Sequence, residues 1–108
     1  MSKKQSEKSS DNKVHREFWI SWGSLLRSYA AAHGLSHKQA AVIELEDEQI
    51  VVRYGSKWIR FTQEWLEMSE GGKIPFALNE DGTVSLGGKM DEMDFAAERV
   101  TRELMQAD

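Results

Sequence analysis

The 108-residue chain contains no cysteine, which excludes a disulfide framework, a thiolate metal site and a cysteine nucleophile. A reducing compartment suits such a chain, so a cytoplasmic location is the expectation. Long apolar runs are lacking too. No stretch approaches the ~20 consecutive apolar residues of a membrane-spanning helix, and the polar start MSKKQSEKSSDNK leads into no continuous apolar run of signal-peptide type. Neither a membrane role nor secretion by the usual route is expected. A basic excess is also missing: 18 acidic against 14 basic residues give a formal net charge of -4. Nucleic-acid binding rests largely on phosphate neutralisation, so this balance argues against such a partner.

What is present, 40% hydrophobic and 30% charged residues, suffices for one compact domain and leaves no room for a second core. Residues 1–12 hold a single apolar side chain, Met1, among Lys, Ser and Glu. They cannot offset the entropy of ordering and are expected to form a disordered polar tail, with the domain over 13–108. The lysines Lys3, Lys4, Lys8 and Lys13 leave a basic arm as the alternative use of that tail.

From Lys13 to His33 the residues Val14, Phe18, Trp22, Leu25, Leu26, Tyr29 and His33 recur at three- and four-residue steps, the period of an amphipathic helix. Trp19 and Ala30 widen the stripe, and Ile20 falls off it. Gly34 in a left-handed conformation, with Leu35 folded back on the last turn, would stop the helix. Next, AVIELEDEQIVVRYGSKWIRF (41–61) folds on paper into a three-stranded antiparallel meander. Turns at Asp47-Glu48 and Gly55-Ser56, the second with the glycine-first signature of type II′, align two inward apolar rows, Ile43-Val52-Ile59 and Leu45-Ile50-Phe61. The same register turns Val42, Arg53 and Trp58 outward in one row and Glu44, Val51 and Arg60 in the next.

Thr62 as N-cap, a Phe61/Leu66 staple and a Gly71-Gly72 stop predict a short helix over TQEWLEMSEGG. IPFALNEDGTVSLGG reads as a hairpin pairing Leu78 with Val84 and Phe76 with Leu86, with Pro75 at a strand start or an edge. A final helix is expected from about Asp91. Asp91, Glu92 and Asp94 would complement its dipole, Met93, Ala97, Val100, Leu104 and Ala107 would form its core stripe, and Phe95 would point away. The fold class is therefore α+β: a two-layer sandwich with the long helices over one face of a five-stranded antiparallel sheet. The strand order after Phe61 does not follow from the sequence.

Catalytic and metal chemistry find little support. His33-x-x-x-His37 has the spacing for two imidazoles on one helical face, but the helix is expected to end between them and no carboxylate motif accompanies the pair. His15 is expected to be partly packed. Asp91, Glu92 and Asp94 lack the alternating ligands of a calcium loop, Asn79-Glu80-Asp81-Gly82 serves as a hairpin turn, and the Gly-Gly pairs have no phosphate-loop frame. No catalytic residue, metal site or cofactor is assigned, and the chain is not expected to be an enzyme.

The outward face of the meander is the better candidate. Val42, Val51 and Trp58 are apolar there, Arg53 lies opposite Trp58 and is expected to stack on it, and Arg60 is expected to pair with Glu44. The bland reading is a solvated face with one cation–π pair; the functional one is a contact surface, since Trp and Arg are enriched in binding hot spots. Of the four tryptophans, Trp22 and Trp65 are assigned to the core. Trp19, at the stripe edge, joins Ile20 and Phe95 as a second set of contact candidates.

In the order of its elements, and in the run LLxxYAxxxGL at Leu25–Leu35, the chain resembles the small acidic chaperones of bacterial type III secretion. That resemblance lies in topology, and it implies a dimer that holds extended segments of other proteins on helix and sheet surfaces. The functional expectation is a non-enzymatic protein-interaction module, an adaptor or small chaperone-like protein that binds a protein partner or itself as a homodimer. Its contacts would be Val42, Val51, Arg53, Trp58 and Arg60, with Trp19, Ile20 and Phe95. The alternative is a small regulator touching nucleic acid through Lys57, Arg53, Arg60 and the basic tail.

Overall fold

The computed structural model describes residues 2–35 and 39–106, the side chains of residues 2–14 excepted. The elements run α1 (Ser2–Gly34), β1 (Val42–Leu45), β2 (Ile50–Tyr54), β3 (Lys57–Phe61), β4 (Trp65–Met68), β5 (Lys73–Leu78), β6 (Thr83–Leu86), β7 (Lys89–Glu92) and α2 (Met93–Gln106). The strands form a seven-stranded antiparallel sheet in sequence order, and α1 and α2 share one core with a single face of it. The fold is α+β, with two more strands than expected and no helix between β3 and β5.

The β1–β3 register matches the alternation read from the sequence. Ile43 pairs with Val52 and Val52 with Ile59; Leu45 pairs with Ile50 and Ile50 with Phe61. Gly55 at φ 62° supplies the first position of the β2–β3 turn, which a side chain would strain. Trp22 of α1 fills the centre, edge-on to Phe61 at 5.3 Å between ring centroids and 5.7 Å from Phe76. Phe61 and Phe76 lie 4.9 Å apart. Gly23 permits the close approach of α1 to β1, because a Cβ there would stand 2.8 Å from Leu45 Cδ1.

The expected short helix is instead strand β4. Trp-Leu-Glu-Met alternates outward and inward, with Leu66 buried and Trp65 exposed, and this period of two prevails over the capping signals. Thr62 does bond to nearby amides, as an N-cap would: its Oγ1 accepts from Trp65 N at 3.0 Å and Glu64 N at 3.3 Å. That bond closes the tight β3–β4 turn, where Thr62 N–H also donates to the Trp65 carbonyl at 2.8 Å. β4 then continues both inward rows, Ile59 pairing with Met68 and Phe61 with Leu66.

Pro75 lies neither at a strand start nor on an edge but within β5. The strand changes partners there: Lys73 to Pro75 pair with β4, and Phe76 to Leu78 pair with β6. The missing N–H falls at the changeover, facing Gly87 just beyond the end of β6: the Gly87 N–H donates to the Pro75 carbonyl at 2.9 Å, and Pro75 returns no bond. The β5–β6 hairpin has the expected pairs Phe76–Leu86 and Leu78–Val84. Gly87 and Gly88, at φ 59° and 86°, then turn the chain into β7, so Asp91 and Glu92 belong to a strand and α2 begins at Met93.

α2 buries Met93, Ala96, Ala97, Thr101, Leu104 and Met105; Ala107 lies outside the described residues. Thr101 Oγ1 donates back to the Ala97 carbonyl, at 2.9 Å, and so occupies the core without a stranded hydroxyl. At the other end, Gly34 is the last helical residue of α1 and has no positive φ. The Leu35 N–H reaches the Ala32 carbonyl at 3.3 Å, which tightens the last turn and removes the need for a left-handed residue. Leu35 is 91% exposed rather than folded back. The expected disordered tail falls on Met1 and on side chains outside the described residues; the helical backbone begins at Ser2. His37 also lies outside them, so the His33/His37 pair is not described.

Candidate functional site: the outer face of the sheet

Both helices pack on the inner face of the sheet, which leaves the outer face without a covering layer. Its central row crosses five strands as Glu44, Val51, Arg60, Glu67 and Lys73. Beside it run Val42, Arg53 and Trp58 on one side and the Trp65–Pro75 pair on the other. β-Strand alternation alone brings together Val42, Val51, Arg53, Trp58 and Arg60, five of the expected contact residues.

Their interactions differ from those expected. Arg53 does not stack on Trp58; its Nε lies 3.4 Å from Glu44 Oε2, on the neighbouring strand. Arg60 does not pair with Glu44. It donates to Glu67 directly across the β3–β4 ladder, from Nε at 2.9 Å, while its guanidinium lies 5.6 Å from the Trp58 ring centroid. β4, where a helix was expected, brings the carboxylate that captures Arg60. A second cation–aromatic pair follows from the same strand: Lys73 Nζ sits 4.4 Å from the ring centroid of Trp65. Trp65, assigned to the core from the sequence, belongs to this face, and the Trp-Leu-Glu-Met alternation is the signal that would have placed it and Glu67 there.

Two candidates are not accessible. Trp19 is 3% exposed, and its indole N–H donates to the Glu46 carbonyl at 2.8 Å; the helix stripe is wide enough to take it into the core. Val51 points outward but is 5% exposed, flanked across the strands by Glu44 and Arg60. Ile20 and Phe95 are 48% and 66% exposed, but they sit on helices and are not part of the outer sheet face.

A polar seam joins the two helices. Tyr29 of α1 donates its hydroxyl to Asp94 of α2 at 2.5 Å. One turn along, His33 Nε2 lies 3.3 Å from Glu98, which also pairs with Arg102 at 3.2 Å. The hydrogen bond to Asp94 raises the Tyr29 phenol above its ordinary pKa, with desolvation and the Asp94 and Glu98 charges adding to the effect. At the β5–β6 turn, Asp81 is held below the usual carboxylate range by the Thr83 hydroxyl and then by the Thr83 amide. Among the described residues no group of three or more His, Cys, Asp or Glu is placed to hold a metal ion, and no helix is long and apolar enough to cross a membrane. A groove of about 770 Å³ opens at one end of the sandwich between α1 and the strand ends, lined by Phe18, Ile20, Leu45 and Leu78 with polar neighbours. Comparison with family models, curated proteins and solved structures returns no match to this chain.

Proposed function

We propose that this chain is a non-enzymatic protein-interaction module, an adaptor or small chaperone-like protein, which receives a protein partner on the outer face of its sheet. The observation that carries this reading is the pair of tryptophans on a face no helix covers: Trp58 beside Arg60 and Trp65 beneath Lys73. Aromatic and arginine side chains supply most binding hot spots, and a rigid sheet presents them with little ordering cost. The ion pairs favour a protein over a nucleic acid. Arg53 and Arg60 already hold Glu44 and Glu67, so the face offers phosphates a nearly neutral ladder rather than a basic stripe.

Affinity capture from native cell extract with the purified chain tests the reading. The wild type is expected to retain a defined protein that Trp58→Ser loses while keeping the wild-type unfolding midpoint. Retention of nothing by the wild type, or equal retention by both, would overturn it.

A further inference from the structure

We infer that the β1 edge pairs with β1 of a second copy, antiparallel and centred on Ile43, joining two sheets into one. This contact uses the edge rather than the outer face and stands independently of the partner proposed for that face. The inference starts from the ladder. The Glu46 N–H bonds to the Gln49 carbonyl at 2.9 Å, and bonded pairs alternate along an antiparallel ladder. Glu46, Glu44 and Val42 therefore aim their backbone groups at β2, while Leu45, Ile43 and Ala41 aim theirs away from the sheet. β1 has no neighbour on that side. Among the described residues no backbone–backbone hydrogen bond engages the outward groups of Ala41, Ile43 and Leu45.

A two-fold axis at Ile43 answers all of them. Ile43 meets the partner's Ile43 and exchanges both backbone bonds with it, and Ala41 does the same with the partner's Leu45. On the outer face this register sets Val42 opposite the partner's Glu44, so no like charges face each other. The other registers are poorer: centring on Glu44 sets the two Glu44 side chains directly against each other, centring on Leu45 sets Glu44 against the partner's Glu46, and centring on Val42 pairs Ala41 with the partner's Ile43 but leaves Leu45 opposite the partner's Gln39, outside the strand. On the inner face, a trough of about 410 Å³ lies between α1 and this edge, lined by Arg27, Ala30, Ala31, Ala41 and Ile43. It leaves space beside Ile43 for the partner's inward side chains. The opposite edge is guarded: β7 carries Lys89, Asp91 and Glu92 among its four residues, a common defence against edge pairing. β1 carries only Glu44, already held by Arg53.

Light scattering on the full chain across micromolar concentrations tests the contact, with Val42 as the reporter because it is 55% exposed and substitution there spares the core. The wild type is expected to reach twice its 12.3 kDa mass. Val42→Glu sets two like-charge pairs across the axis and should raise the dimer Kd by about tenfold, while Val42→Lys, facing the partner's Glu44, should lower it by a few-fold. Circular dichroism and unfolding midpoints of the variants verify that the protomer is unchanged. A wild type that stays monomeric overturns the inference. So does a dimer that both variants weaken alike, or one that ignores Val42 and responds to Met90→Ser, which would place the contact at β7.

Discussion

The two faces of the sheet are built from the same strands and differ in how burial is achieved. On the inner face Ile50, Val52 and Phe61 have no exposed surface and meet the side chains of two helices. On the outer face Val51 is nearly as buried, at 5%, yet its cross-strand neighbours are Glu44 and Arg60, charged side chains that remain partly exposed. Alternation thus decides which way a side chain points, and the neighbours decide how much water it loses. Cover made from long charged side chains is mobile and can collapse over a deletion, whereas cover made from packed rings cannot.

That contrast can be broken by mutation. Phe61→Ala removes the ring at the centre of the Trp22–Phe61–Phe76 cluster and is expected to cost about 3–5 kcal/mol in urea unfolding. Ile59→Ala opens a smaller hole in the adjoining inward row, at about 2–5 kcal/mol. Val51→Ala, under cover that can settle, should cost about 1 kcal/mol; a loss equal to that of Ile59→Ala would abolish the distinction between the faces. A double-mutant cycle on Arg60 and Glu67 should return about 0.2–1 kcal/mol, falling as salt is added, since both side chains are partly solvated. The smallest effect is at the helix seam. Because the Tyr29 pKa is raised in the fold, its contribution is complete below about pH 10 and fades as pH rises through the shifted value. Unfolding curves taken through that range should show an alkaline loss in the wild type that is reduced in Tyr29→Phe.

The contrast also marks how far the sequence could be read. Where alternation was uninterrupted and the turn signals were short, from Val42 to Phe61, the register could be derived pair by pair. Between Thr62 and Gly72 two rules competed. Thr62 presents its hydroxyl to following amides in a helix cap and in a tight turn alike, and four residues of Trp-Leu-Glu-Met satisfy either period. Only pairing with β3 and β5 decides between them, and that is a tertiary fact. The same ambiguity reaches the candidate site: without β4, Glu44 is the carboxylate nearest Arg60 and Trp65 has a helix stripe to join, whereas the strand supplies Glu67 and turns Trp65 outward. Pro75 departs from its expected place for a related reason: it stands where β5 changes partners, and the one bond it cannot donate falls opposite Gly87, just past the end of β6. Trp19 was misplaced because a helix stripe has no sharp edge in sequence, and its bond to the Glu46 carbonyl joins residues that no local pattern connects.

The sequential order of the strands has a kinetic consequence. Every pairing in the sheet joins consecutive strands through a short loop, so each hairpin loses little chain entropy on closing and can form without waiting for a distant partner. The helix seam is the opposite case: Tyr29 and Asp94 are 65 residues apart, and their contact must wait until most of the chain between them is in place. Interactions made after the rate-limiting step govern how fast a protein comes apart rather than how fast it forms. If the hairpins precede that step, loosening the helix seam is expected to speed unfolding more than it slows folding, which the two arms of a urea chevron for Tyr29→Phe would show.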